Sequence, residues 1–94
     1  MILQETYGAL ARLGMTNSQY DFSERWIGRD RSYLSSTKAR DRDASAEAML
    51  TLATRLTKEA IKLRQAYRHG EAEVLDRMSG RIWETLLGRA NRTA

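Results

Sequence analysis

An all-α protein is predicted from three observations. The chain contains no proline, it is rich in Ala, Leu, Arg and Glu with few β-branched residues, and its apolar positions recur at threes and fours. At 94 residues it has room for one compact domain, with a radius of gyration near about 12 Å. Five helices joined by short turns are expected.

The first helix spans 2–13, with Leu3, Tyr7, Leu10 and Leu13 as its apolar stripe, and Gly14 ends it as a C-terminal glycine does. Ser18, followed three residues later by Asp21, reads as an N-cap with an acidic side chain reaching back. A second helix over 19–27 then carries Phe22 and Trp26. Gly28 supplies a turn and Asp30 caps a short third helix, 31–38, whose large apolar residues are Tyr33 and Leu34. The stretch 39–44 has no stripe and reads as a loop. Ser45 caps a fourth helix, 46–69, in which Met49, Leu52, Ala53, Leu56, Ala60, Leu63 and Tyr67 recur without a break. Arg64, Arg68 and His69 suit the negative end of its dipole, and Gly70 is expected to stop it. A fifth helix starts near Glu71 and carries Val74, Leu75, Met78, Ile82 and Leu86. Gly80 inside it implies a bend or a close neighbour, and the tail after Gly88 is expected to fray.

Charge divides the chain unevenly. The net of +4 is concentrated in residues 29–42, which hold Arg29, Arg31, Lys38, Arg40 and Arg42 against Asp30 and Asp41, and in residues 55–69, which hold Arg55, Lys58, Lys62, Arg64 and Arg68 against Glu59. Two basic stretches in an otherwise balanced chain form a plausible footprint for a polyanion, because each cation laid on a phosphate releases counterions. A solvated helix face reads equally well from charge alone.

The absence of cysteine excludes disulfides, thiolate metal sites and a cysteine nucleophile, and suits a reducing cytoplasm. The first residues lack the basic start and apolar run of a signal peptide, and no apolar run approaches about 20 residues, so neither secretion nor membrane spanning is expected. Ser35 and Lys38 spell the Ser-x-x-Lys of serine acyl-transfer enzymes without their companion motifs. His69 is the only histidine, and the paired acids sit in exposed polar stretches. No enzyme, metal or cofactor is expected. The helical spacing of Tyr20, Trp26, Tyr33 and Trp83 favours core or interface packing over base stacking.

A short capped helix, a glycine turn, a second short helix, a polar loop and a capped long helix make a helix-turn-helix arrangement. The stretch 18–56 resembles the DNA-binding domain of the phage-repressor and Cro-type helix-turn-helix family, also found in bacterial regulators and antitoxins. The resemblance is carried by Ser18, Gln19, Phe22 and Ser23, then by Gly28, Asp30 and Leu34, and by the second cap Ser45 with Ala46, Glu47, Met49, Leu50, Leu52, Ala53 and Leu56 behind it. Ser23 is the small residue the family places where its two helices cross. Two positions depart from the pattern. The step from Phe22 to Gly28 is one residue longer than usual, implying a longer turn and a rotated third helix, and Thr37 stands where a large apolar residue is preferred.

The resemblance implies a DNA-binding head over 1–56 and a dimerising extension over 57–94, the two forming one compact unit. Arg31, Ser32 and Ser36 fall where the family meets base edges, and Gln19 where it meets a phosphate or base. Arg29, Lys38, Arg40 and Arg42 would contact phosphates. Arg31 can also pair with Asp30 or Glu24, and the loop arginines with Asp41 and Asp43. The hairpin stripes, represented by Leu63, Tyr67, Leu75, Met78, Ile82 and Leu86, exceed what the head can cover, so a homodimer reading an inverted repeat is expected. The function expected is that of a small cytoplasmic bacterial or phage transcriptional regulator, a repressor or antitoxin-like protein, binding double-stranded DNA in a sequence-specific manner. The alternatives are a helical module that binds a protein partner, and a nonspecific nucleic-acid binder acting through residues 55–69.

Overall fold

The computed structural model describes residues 1–40 and 44–93. Five helices and no strand occur among them: α1 (Ile2–Arg12), α2 (Gln19–Asp21), which runs on into a π-helical segment (Phe22–Ile27), α3 (Tyr33–Ala39), α4 (Ala46–Gln65) and α5 (His69–Thr93). The protein is all-α, with α1, α2 and α3 forming a head on an antiparallel α4/α5 hairpin. None of these helices is long and apolar enough to cross a membrane.

α1 buries Leu3, Ala9 and Leu10 together with Thr6, whose hydroxyl donates to the Ile2 carbonyl at 2.8 Å and so leaves no buried polar group unpaired there. Its end is closed by the Gly14 N–H on Ala11 and the Met15 N–H on Leu10, with Gly14 at φ +72°. This is the six-residue C-terminal closure that needs a left-handed residue, and glycine meets the need without strain. Ser18 caps α2 by accepting from the Asp21 N–H at 3.0 Å. The Asp21 carboxylate does not serve the cap reciprocally as the spacing suggests; it takes the Thr16 hydroxyl at 2.7 Å.

The extra residue between Phe22 and Gly28 does not lengthen the turn. It is absorbed into the helix, whose last turns are wound wide, so that the N–H groups of Gly28 and Arg29 both reach the Ser23 carbonyl. Wide winding keeps Phe22, Ser23, Trp26 and Ile27 all buried. Gly28 then reverses the chain at φ +73°, under the Arg55 guanidinium, which a Cβ at that position would meet at 3.2 Å.

α3 begins two residues later than the sequence suggests, leaving Arg31 and Ser32 in the preceding turn. α4 is capped by Ser45, which accepts from the Ala48 N–H at 3.2 Å, and ends at Gln65 rather than His69. Gly70 does not stop it. Tyr67 does, at φ +60°, through the same closure as at Gly14: its N–H reaches Arg64 and the Arg68 N–H reaches Leu63. Arg68 and His69 therefore lie beyond α4, and His69 and Gly70 open α5. Residues 89–93, expected to fray, are helical, and Arg89 Nη1 donates to the Ala44 carbonyl at 2.7 Å. At Gly80 a Cβ would meet nothing within 4 Å, so no neighbour explains that glycine.

One core unites these parts. Leu3, Leu10, Phe22, Ile27, Leu34, Met49, Leu52, Leu56, Leu75 and Ile82 form a continuous buried cluster, and the 56/57 division falls inside α4. Ala53, Ala60, Ala72 and Ser79 lie buried in or beside the α4/α5 seam, where the Thr57 and Ser79 hydroxyls meet at 3.2 Å. The dimerising stripe expected from sequence is largely consumed here. Leu63, Leu75, Met78 and Ile82 are buried in the chain's own core, Leu86 is half-buried, and only Tyr67 stands in solvent. Each large apolar side chain so buried contributes about 1.5–3 kcal/mol to folding, so Leu63, Leu75, Met78 and Ile82 serve the chain's own core. The radius of gyration is 13.1 Å and the molecule measures 40 × 30 × 17 Å, its length set by the hairpin.

Candidate nucleic-acid interface

α3 is short and borrows its N-terminal cap from a neighbour. Ser32, in the cap position, makes no side-chain cap bond. The Leu34 N–H instead donates to Ser23 Oγ at 3.2 Å, a buried bond from α3 to the π-helical segment. The turn before α3 is held by Asp30, whose Oδ1 accepts from the Ser32 N–H at 2.9 Å and the Ser32 hydroxyl at 2.8 Å, while the Tyr33 N–H reaches the Asp30 carbonyl. The Ser32 backbone bond, then its hydroxyl bond, hold the Asp30 carboxyl below the usual carboxylate range against a small opposing effect of desolvation, and the Arg31 charge adds the smallest pull of all.

Leu34 and Thr37 face the core, so Arg31, Ser32, Ser35 and Lys38 share the outward side of α3 and its leading turn. Ser36, expected on that side, is half-buried, and Ser35 takes its place. The register could have been read from the sequence: once Leu34 is taken as the core residue, Ser35 and Lys38 follow Arg31 at helical spacing. Gln19, half-buried at the start of α2, lines a cleft of about 320 Å³ with Ser18, Tyr20 and Ser35, so the first turn of α2 opens alongside α3.

Tyr20 is the feature missed from sequence. Its exposed ring carries the Arg31 guanidinium 5.5 Å from the centroid, a cation–π stack that restrains an otherwise free side chain. Arg29 is less available than expected. It is half-buried, 5.9 Å from the Tyr33 ring centroid, 3.6 Å from Glu47 and 3.5 Å from the Ser45 hydroxyl. Tyr33 accepts the Ser45 N–H at its phenol oxygen, so these residues fasten α3 to the start of α4. Lys38 and Arg40 are exposed, with no ion pair among the described residues. Arg42 lies outside the described residues. The face thus presents Arg31, Lys38 and Arg40 around small hydroxyls, and the one acid within it among the described residues, Asp30, holds the turn through Ser32.

The sequence model of a family of unknown function, DUF6626, matches residues 3–94, and the chain belongs to that family. Comparison with curated proteins and with solved structures found no match.

Proposed function

We propose that this DUF6626 protein binds double-stranded DNA in a sequence-specific manner, as a small cytoplasmic transcriptional regulator of the phage-repressor and Cro-like kind, with α3 in the major groove. The observation that carries the reading is the outward stripe of Arg31, Ser32, Ser35 and Lys38, beside Gln19 and with no free acid among them. A helix of this size fits the groove, Arg31 is suited to the O6 and N7 of guanine, and the serines are permissive partners. Lys38 and Arg40 supply the phosphate contacts that fix position and make affinity salt-dependent. Pairing of two heads belongs to the same reading and would use exposed hairpin residues such as Leu50, Trp83 and Leu87, since the inner stripe is taken.

Selection from a randomised duplex library, followed by fluorescence anisotropy, tests the proposal. A motif is expected to emerge, and Arg31→Ala should weaken binding to it by about 1–3 kcal/mol while relaxing preference at one position. Lys38→Ala should weaken all duplexes alike and reduce the salt slope by about 1. No salt-dependent duplex affinity, or an Arg31→Ala protein that selects the same motif with the same strength, overturns the reading.

A further inference from the structure

A second cationic site lies away from α3, where α4 passes the head. The π-helical segment and α4 enclose a cleft of about 400 Å³ with the α1–α2 loop, and Arg25, Arg55, Lys58 and Lys62 line it against a single carboxylate, Glu59. It shares no residue with the stripe described above. Two of the cations are fixed by backbone carbonyls: Arg25 Nη2 donates to Met15 at 2.8 Å, and Arg55 Nη1 donates to Arg25 at 2.6 Å and to Glu24 at 3.4 Å. Asp21 stands 3.6 Å from Arg25 Nε. Those bonds explain why the arginines are there, but they leave the guanidinium charges in place.

The lysines have no such explanation. Further along the same helix and its C-terminal turn, Arg64 pairs with Asp76 and Arg68 with Glu71, so α5 supplies an acid for each cation. At Lys58 it supplies none among the described residues, and Lys62 reaches only Glu59, at 3.9 Å on its own helix. Arg55, Lys58 and Lys62 therefore line one side of α4 at helical spacing and face Arg25, an arrangement of like charges that costs stability until an anion enters. A concave, cationic wall also concentrates the field at the cleft. Trp26, with its indole N–H on the Met15 carbonyl at 3.3 Å, and Met15 itself add an apolar wall. The volume lies in the range of small-molecule sites.

We infer that this cleft is a phosphate-binding site, fitted to a multiply charged phosphate group with Lys58 and Lys62 as its mobile contacts and Arg25 and Arg55 as its fixed ones. The inference does not rest on the DNA reading. The phosphate can belong to a small phosphorylated molecule or to a nucleic-acid backbone, and the test separates these sources.

The full chain, labelled with ¹⁵N, is titrated with inorganic pyrophosphate at low salt while the two tryptophan indole N–H signals are followed, Trp83→Phe identifying which is which. The Trp26 signal is expected to shift with saturation, and further than that of Trp83, which lines a neighbouring cleft beside Lys58. Lys58→Glu with Lys62→Glu should weaken the interaction at least about tenfold, since each reversal turns an attraction at contact distance into a repulsion. Both lysines are exposed, so the fold should survive, and circular dichroism with the thermal midpoint checks that. Pyrophosphate should also raise the midpoint of the wild type and not of the double variant. Arg31→Ala should leave the shift unchanged, so failure here and failure of the DNA reading are distinguishable. If duplex DNA moves the same Trp26 signal and the lysine reversals weaken it, the phosphate is that of a nucleic-acid backbone; if duplex leaves the signal alone, it belongs to a small molecule. An unmoved Trp26 signal with an unchanged midpoint, or equal pyrophosphate affinity in the double variant, overturns the inference.

Discussion

Replacing Ser23 with alanine should loosen α3 from the head, and the size of the effect can be worked from the bonds that converge there. Ser23 is wholly buried, and its hydroxyl is the acceptor for the Leu34 N–H, itself buried. Alanine fills nearly the same space, so the packing change is small and the loss is that of an acceptor for a donor hidden from water. Such a deletion costs about 1–3 kcal/mol, out of a total of roughly 5–14 kcal/mol at 0.05–0.15 kcal/mol per residue for a chain of this length. For a domain of this size each kcal/mol lowers the thermal midpoint by about 4–8 °C. Urea unfolding followed by circular dichroism should show a lower midpoint with the slope unchanged, because the surface exposed on unfolding is the same. Native-state hydrogen exchange should accelerate at the Leu34 amide more than at Leu52 or Leu56 in α4. A stability loss below about 0.5 kcal/mol, less than a typical net hydrogen bond, or unchanged protection at Leu34, refutes the claim that Ser23 caps α3.

Three further outcomes follow from local geometry. Tyr67→Gly should raise stability by about 1 kcal/mol, measured by urea unfolding, because Tyr67 holds a left-handed backbone at φ +60° while 86% exposed, with little packing to lose. Gly80→Ala should add up to about 1 kcal/mol by the same measurement, since the position is helical and a Cβ there meets nothing. Asp30 has a lowered folded-state pKa, so its contribution is present above the ordinary carboxylate value and is lost as pH falls through the lower, folded one. A ¹³C titration of the Asp30 carboxyl should place its midpoint below that of an unfolded aspartate, and Asp30→Asn should flatten the acid limb of stability against pH.

What the sequence disclosed and what it withheld divide along the range of the interactions. Ser18 and Ser45 are caps because a hydroxyl three residues ahead of a free N–H is a local arrangement, and both make that bond. The α4 stripe is legible for the same reason from Met49 to Leu63, all of whose members are buried, while Ala48 is buried beside it and Tyr67, given to the stripe by its spacing, stands in solvent. The end of α4 was misread because the closure needs only one left-handed residue. Glycine is the usual signal for it, yet here the tyrosine three positions before Gly70 adopts it. The inner hairpin stripe is legible as apolar, but Leu63, Leu75, Met78 and Ile82 are covered by the chain's own core, since periodicity tells that a face is covered and not by what. At the candidate site, Arg31, Ser32, Lys38 and Gln19 were legible as positions around the turn. Ser35 was displaced by one register step, Arg29 was drawn off by Glu47 and Tyr33, and the Tyr20 stack depends on two segments meeting in space.

The π-helical winding is the link between these local facts and the pose of α3. An additional residue between Phe22 and Gly28 can be placed in only two ways, in the helix or in the turn. In the turn it would carry the start of α3 onward and break the meeting of Ser23 with Leu34. In an ordinary α-helix it would rotate Ile27 away from the face that holds Phe22, losing about 1.5–3 kcal/mol of burial. Wide winding avoids both losses at the cost of poorer hydrogen-bond geometry over little more than a turn. It also gathers the Gly28 and Arg29 N–H groups on the Ser23 carbonyl while the Leu34 N–H takes the Ser23 hydroxyl. One buried serine therefore receives three backbone donors, from the end of one helix, the turn and the start of the next. The direction of α3, and with it the direction in which Arg31 and Lys38 point, is fixed by that convergence rather than by the few apolar contacts a seven-residue helix can make.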